Sequence, residues 1–110
     1  MIVLNNGKNV FPEEIEEYLY KFDLVAECVV IGRKNSEDNV EVTALIYPDF
    51  AKADEMGLGS DLNAIGSVIK EKLADLNRTL PSFKQVRGLE MRRTEFEKNT
   101  SKKIIRYKIK

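Results

Sequence analysis

The chain has 110 residues, 43% apolar and 33% charged, with one cysteine and no histidine; this fits a single compact domain over residues 1–110 rather than a disordered or multidomain chain. No apolar run approaches the roughly 20 residues that cross a bilayer. Met1-Ile2-Val3-Leu4 is too short and lacks the basic flank of a secretory signal, and a lone Cys28 cannot form an internal disulfide, so a reducing, cytoplasmic setting is expected.

Ile2–Leu4 reads as a short strand and Asn5-Asn6-Gly7 as a turn, with the return of the hairpin ending near Val10-Phe11. Pro12 suits the first position of a helix, where its missing N–H needs no partner. Glu13, Glu14, Glu16 and Glu17 complement the positive helix N-terminus. Ile15, Tyr18, Leu19 and Phe22 give that helix one buried face, and it ends near Lys21–Asp23. Val25–Ile31 is β-branched and apolar enough for a strand buried on both faces, in which Cys28 serves packing. Gly32 ends that strand, Arg33–Asn39 is turn material, and Val40–Tyr47 returns as its antiparallel partner. Pro48–Gly59 reads as a loop. Ser60 or Asp61 then caps a long helix with an apolar stripe of Leu62, Ile65, Val68, Ile69, Leu73 and Leu76, closed by Pro81. Val86–Met91 is a third sheet strand, and beyond Arg93 the chain is polar and basic until Ile104-Ile105. The order predicts an α+β fold: about three central strands flanked by two helices, preceded by a short N-terminal hairpin.

Net charge is zero, yet residues 1–55 carry 5 basic and 12 acidic side chains while residues 56–110 carry 13 and 6. Such asymmetry fits a surface that meets an anionic ligand or partner, or two faces of one fold that attract each other. Without histidine there is no Ser/His or Cys/His triad and no histidine zinc ligand. Neither a metal-ligand spacing nor a phosphate loop of the G-x-x-x-x-G-K type is present. Two stretches remain. Asn5–Glu16, "NNGKNVFPEEIE", is either a plain hairpin turn and helix start or a place where Gly7 lets a ligand approach the backbone beside Lys8. Phe96–Lys110 is a solvated cationic end, a nucleic-acid patch using Lys102, Lys103, Arg106, Lys108, Lys110 and Tyr107, or the carrier of one lysine aimed at a phosphoryl or carboxylate group. The neutral charge of the whole chain counts against nucleic acid.

Together the two stretches resemble the C-terminal domain of the adenylate-forming enzymes, which include acyl-CoA synthetases, peptide-synthetase adenylation domains and luciferases. Gly7 to Glu16 matches a family pattern G-x-x-x-x-P-x-E-I-E, and Glu97 to Arg106 matches P-K-T-x-S-G-K-I-x-R. Glu97, Asn99 and Lys102 depart from the proline, threonine and glycine of the second pattern. A lysine before the catalytic position resembles the long-chain fatty acid branch. The resemblance implies that Lys103, immediately before Ile104, is the catalytic lysine for ATP-dependent acyl-adenylate formation. It implies that Asn6, Gly7 and Lys8 line the passage for the CoA pantetheine arm after the domain rotates.

ATP, Mg2+ and CoA would belong to the full enzyme, with no metal held by this chain. Its partner would be an N-terminal adenylation domain that also binds the fatty acid. On that reading Met1 is an internal methionine of a longer enzyme, or a residue added for expression, and the isolated chain is inactive. Peripheral membrane association of the full enzyme stays open. A free-standing, non-catalytic CoA- or nucleotide-binding module is the alternative.

Overall fold

The two longest β-branched stretches pair with each other and form the middle of the molecule. The computed structural model describes residues 2–5, 7–98 and 104. In chain order its elements are β1 (Ile2–Val3), β2 (Asn9–Val10), α1 (Pro12–Leu19), β3 (Val25–Lys34), β4 (Val40–Pro48), α2 (Phe50–Glu55), α3 (Leu62–Asn77), a 3-10 turn at Ser82–Lys84, and β5 (Gly88–Met91). The fold is therefore α+β, with a two-strand hairpin and a three-strand sheet, as the sequence predicts.

The sheet runs in the order β3-β4-β5. β3 and β4 are antiparallel from Val25↔Pro48 to Lys34↔Val40, whereas β4 and β5 are parallel from Thr43↔Gly88 to Ile46↔Met91. A parallel partner cannot be reached by a tight turn, and the long helix α3 supplies the crossover. Successive side chains of a strand point to opposite faces. Cys28 and Val30 of β3, with Val42, Ala44 and Ile46 of β4, pack in one cluster with Ile15, Leu19, Ile65, Ile69 and Leu73 of the helices. Val29 and Leu45 form a second, smaller cluster with Phe96, against which Ile104 packs. Both faces of the sheet are thus covered around Cys28–Val30. Phe96, which the polar character of its neighbours hides in the sequence, is only 3% exposed.

Four boundaries differ from the sequence expectation. α1 ends at Leu19, short of Lys21–Asp23, so Phe22 packs on the core from the turn after the helix rather than from its buried face. β3 does not stop at Gly32 but continues to Lys34. A side chain at Gly32 would meet Ile2 Cγ2 at 2.8 Å and Val40 Cγ1 at 3.0 Å, so the glycine makes room for β1 instead of ending the strand. The expected loop Pro48–Gly59 contains α2, capped by Asp49 Oδ1 accepting from Lys52 N–H at 3.0 Å and anchored by the buried Ala53. The last strand begins at Gly88 rather than Val86. Val86 is held instead by the Asn77 side chain, which accepts from Val86 N–H (2.9 Å) and donates to Val86 C=O (3.0 Å).

β3 lies at an edge of the sheet, where outward N–H and C=O groups need partners. Helix α1 and the residue that follows it supply them. Glu16, 8% exposed, accepts from Val30 N–H at 2.8 Å. The Tyr20 hydroxyl accepts from Cys28 N–H at 3.2 Å and faces Cys28 C=O at 3.4 Å. Burial raises the Tyr20 pKa above 10.0, since the phenolate would lose its hydration there. Pro12 starts the helix and Glu13 and Glu14 occupy its first turn, so sequence-local rules set where α1 begins. Removing the carboxylate that closes the strand edge leaves Val30 N–H without that acceptor. Glu16→Ala is therefore expected to lower unfolding free energy by about 1–3 kcal/mol in urea titration, with an unchanged far-UV spectrum below the transition.

Candidate functional site

The turn between β1 and β2 is closed by Gly7 N–H to Leu4 C=O and Leu4 N–H to Lys8 C=O, both at 2.9 Å. Gly7 has φ of +82°, and among the described residues nothing beyond its own chain neighbours lies within 4 Å of where its Cβ would stand. Backbone conformation, not crowding, therefore asks for glycine here, and the space beside it is open. Asn5 fixes the turn to the rest of the fold. Its Oδ1 accepts from Val40 N–H at 3.1 Å and its Nδ2 donates to Asn39 Oδ1 at 2.7 Å, joining this hairpin to the tip of the β3–β4 hairpin.

Beside the turn, the Lys8 ammonium stands 5.6 Å from the ring centre of Phe83, and the Lys84 ammonium stands 5.8 Å from the same ring. Both distances suit cation–π contact. Lys84 also pairs with Glu14 at 3.0 Å, tying the 3-10 turn to α1. An open groove of about 390 Å³ runs past Leu4, Asn5, Asn39, Phe83, Gln85 and Arg87. Two cations and an aromatic ring thus meet beside the hairpin. Such a surface is chemically suited to phosphate and to a flat heterocycle.

The closing motif is mounted on the other face of the sheet. Phe96 is buried against Val29 and Leu45, and the Arg92 guanidinium lies 4.4 Å from the centre of its ring. Lys98 and Ile104 form an antiparallel bridge, and Ile104 packs on the Phe96 cluster. Both oxygens of Glu27 are engaged there: Oε1 accepts from Phe96 N–H at 3.0 Å, and Oε2 is in direct contact with the Lys98 ammonium. The Glu27 hydrogen bond raises the Lys98 pKa above 10.5, against a smaller opposing effect of desolvation.

Of the residues singled out in the sequence, Gly7 and Lys8 stand together at the hairpin. Asn6 and Lys103 lie outside the described residues. The described anchors of the two motifs stand apart. Gly32, which receives β1, is five residues along β3 from Glu27, a separation of about 17 Å, and the two mounts occupy opposite faces. Asn5, Phe83 and Glu27 were not singled out. Glu27 had a signal, a lone carboxylate within the apolar run "VAECVV"; Asn5 was legible only as a turn residue and Phe83 not at all, since their partners are distant in sequence. Among the described residues no group of three or more His, Cys, Asp or Glu could hold a metal ion. No described helix is long and apolar enough to cross a membrane.

Comparison with known proteins gives a consistent picture. The family model of the AMP-binding enzyme C-terminal domain matches residues 1–110. A 2-succinylbenzoate–CoA ligase of Lactococcus lactis is 27% identical over 110 residues, covering 99% of this chain and 20% of that protein. An anthranilate–CoA ligase solved in complex with anthranoyl-AMP superposes with a TM-score of 0.73 at 25% identity, over 99% of this chain and 19% of that one. An acyl-CoA synthetase of Brucella canis gives a TM-score of 0.71 at 20% identity, over 98% and 18% respectively. The chain thus spans about a fifth of the length of the relatives it matches.

The Glu27–Lys98 pair has a definite pH signature. A lysine with its pKa raised on folding contributes stability that is complete below the ordinary value of 10.5 and is lost as pH rises through the folded value. The stability difference between the parent chain and Lys98→Met should therefore be constant from neutrality to about pH 9.5 and shrink above about pH 10.5. Chemical denaturation of both proteins across that range reads it, and comparing the two cancels the shared tyrosine titration.

Proposed function

We propose, given that this chain belongs to the AMP-binding enzyme C-terminal domain family, that it serves both half-reactions of an adenylate-forming acid–CoA ligase. What supports the reading most is the mounting of the two motifs on opposite faces of one sheet, the Gly7 turn with Ile2 and Val10 and the closing motif with Phe96 and Ile104. A single rigid body can then offer either face to an adenylating partner domain by rotating.

In the first half-reaction a substrate carboxylate oxygen attacks the α-phosphorus of ATP. The bond to the bridging oxygen breaks and pyrophosphate leaves with the electron pair. Charge accumulates on the phosphoryl oxygens, and the role assigned to Lys103 is to place an ammonium against them. Mg2+ would neutralise phosphate charge from ligands on the partner domain. In the second half-reaction the CoA thiol attacks the acyl carbonyl and AMP departs. Asn6, Gly7 and Lys8 are assigned to the pantetheine passage: a glycine with open space at its Cβ position leaves room for a chain to pass, and Lys8 brings positive charge beside it.

On substrate, Lys102 preceding Lys103 favours a fatty acyl group. The ligases of succinylbenzoate and anthranilate among the relatives favour an aromatic acid as the second reading. Pyrophosphate release with a panel of fatty and aromatic acids separates the two. The substitutions of Glu97, Asn99 and Lys102 at patterned positions favour the rival class, a non-catalytic CoA-binding module.

One variant tests the main reading. In the ligase that carries this domain, Lys103→Ala should slow acyl-adenylate formation by about 10²–10³-fold while largely sparing thioester formation from supplied acyl-adenylate. Equal loss of both steps, or of neither, rejects the role given to Lys103. CoA binding by the isolated chain with no adenylation in any longer form would favour the module.

A further inference from the structure

We propose that the open edge of β5, with the groove between it and α3, is a docking site for an extended acidic and apolar segment of a partner protein, which joins the sheet as a fourth strand. The two edges of the sheet differ. On β3, Glu16 and Tyr20 take up outward backbone groups. Among the described residues, no strand and no side chain does this for β5 on its side away from β4. Such an edge presents N–H and C=O groups to any strand that fits beside it. The inference uses neither Lys103 nor the Gly7 turn and stands apart from the roles given to them.

Beside this edge lie two hollows, of about 330 and 280 Å³, that share Lys70 and Leu89. The first reaches Leu73 and Arg87, the second Leu62 and Met91. Leu89 and Met91 are both only partly buried. They lie two residues apart on one face of β5, a separation of about 7 Å. An added strand has the same repeat, so its residues i and i+2 can each seat one apolar side chain. Gly66 keeps the second hollow open. It stands in the middle of α3, where glycine is unfavourable, and a Cβ there would lie 3.4 Å from Met91 Cγ. Charge then selects the occupant. Neither the Lys70 ammonium nor the Arg87 guanidinium has an ion pair among the described residues. Carboxylates flanking the apolar pair would supply partners for both. A second copy of this chain fits poorly: antiparallel pairing of Gly88–Met91 with itself sets Arg87 of each copy opposite Arg92 of the other, and like charges directly opposite are destabilising.

The probe is a synthetic peptide, Glu-Thr-Leu-Thr-Leu-Thr-Glu, blocked at both ends and carrying a fluorophore. Fluorescence anisotropy should show saturable binding below about 1 mM, both to this chain and to the ligase that carries it. Lysine in place of both glutamates should weaken binding by about tenfold or more, and the double variant Lys70→Glu, Arg87→Glu should reverse that preference. Gly66→Gln fills the second hollow with a better helix former; it should weaken binding by a similar factor without lowering the melting temperature. A strand turns successive N–H groups to alternate sides, so methylating the leucine nitrogens and methylating the threonine nitrogens should differ. One should abolish binding and the other should leave it nearly intact. A peptide that fails to bind, binds equally well with lysine ends, or responds equally to both methylations overturns the proposal. Binding to the isolated chain but not to the ligase also overturns it, by assigning the edge to an internal contact of that enzyme. A dimer in sedimentation that the peptide splits does the same, by assigning the edge to a second copy.

Discussion

A strand at the edge of a sheet has to place its outward N–H and C=O groups somewhere, and in this domain the placement of everything else follows from how β3 does so. Glu16 and Tyr20 close that edge through Val30 and Cys28, which fixes α1 and the residue after it against the strand. Because α1 begins directly after β2, the N-terminal hairpin is indexed to the same strand. Ile2 completes this by packing where Gly32 has no side chain. A buried carboxylate is costly unless its oxygens are used, and here that cost comes with a defined docking geometry for the helix.

The same strand carries the second motif on its other face. Val29 supports Phe96, and Glu27 holds Phe96 N–H and Lys98. β3 is therefore the common frame for both mounts, with Gly32 and Glu27 about 17 Å apart along it. The family patterns make physical sense in these terms. In the first, Gly7 supplies a left-handed backbone, Pro12 starts α1, Ile15 fills the core, Glu14 holds Lys84 and Glu16 closes the strand edge. In the second, Lys98 is held by Glu27 and Ile104 docks on the sheet. Patterned positions among the described residues thus serve as scaffold beside those assigned to chemistry.

The polar joints between hairpin tips belong to the same logic. Asn5 bonds to Asn39 and Val40, and Asn35 Oδ1 accepts from Glu37 and Asn39 N–H, at 2.9 and 3.1 Å, within the turn. Asp38 there adopts a left-handed φ of 63°, which Asp tolerates better than most side chains. The two turns are thus joined to each other through Asn5.

Local signals carried much of this domain. Pro12 and the acidic first turn located α1, the spacing of Ile65, Ile69 and Leu73 located the buried face of α3, and β-branched runs located β3 and β4, because each depends on residues within one or two turns of each other. The sequence by itself also determined the family resemblance, through two patterned stretches that each need only a few neighbouring positions. Tertiary structure alone decided the rest. Gly32 looked like a strand end until Ile2, thirty positions away, was seen to fill its space, and Phe96 looked like tail until Val29 and Leu45 were found beneath it. Glu27, an acidic residue inside a strand expected to be buried on both faces, acquired partners only when Phe96 and Lys98 packed around it. The difference is physical: a helix start or an amphipathic stripe is written in neighbouring residues, whereas a docking pocket or a clamp exists only once chain segments distant in sequence have been packed together.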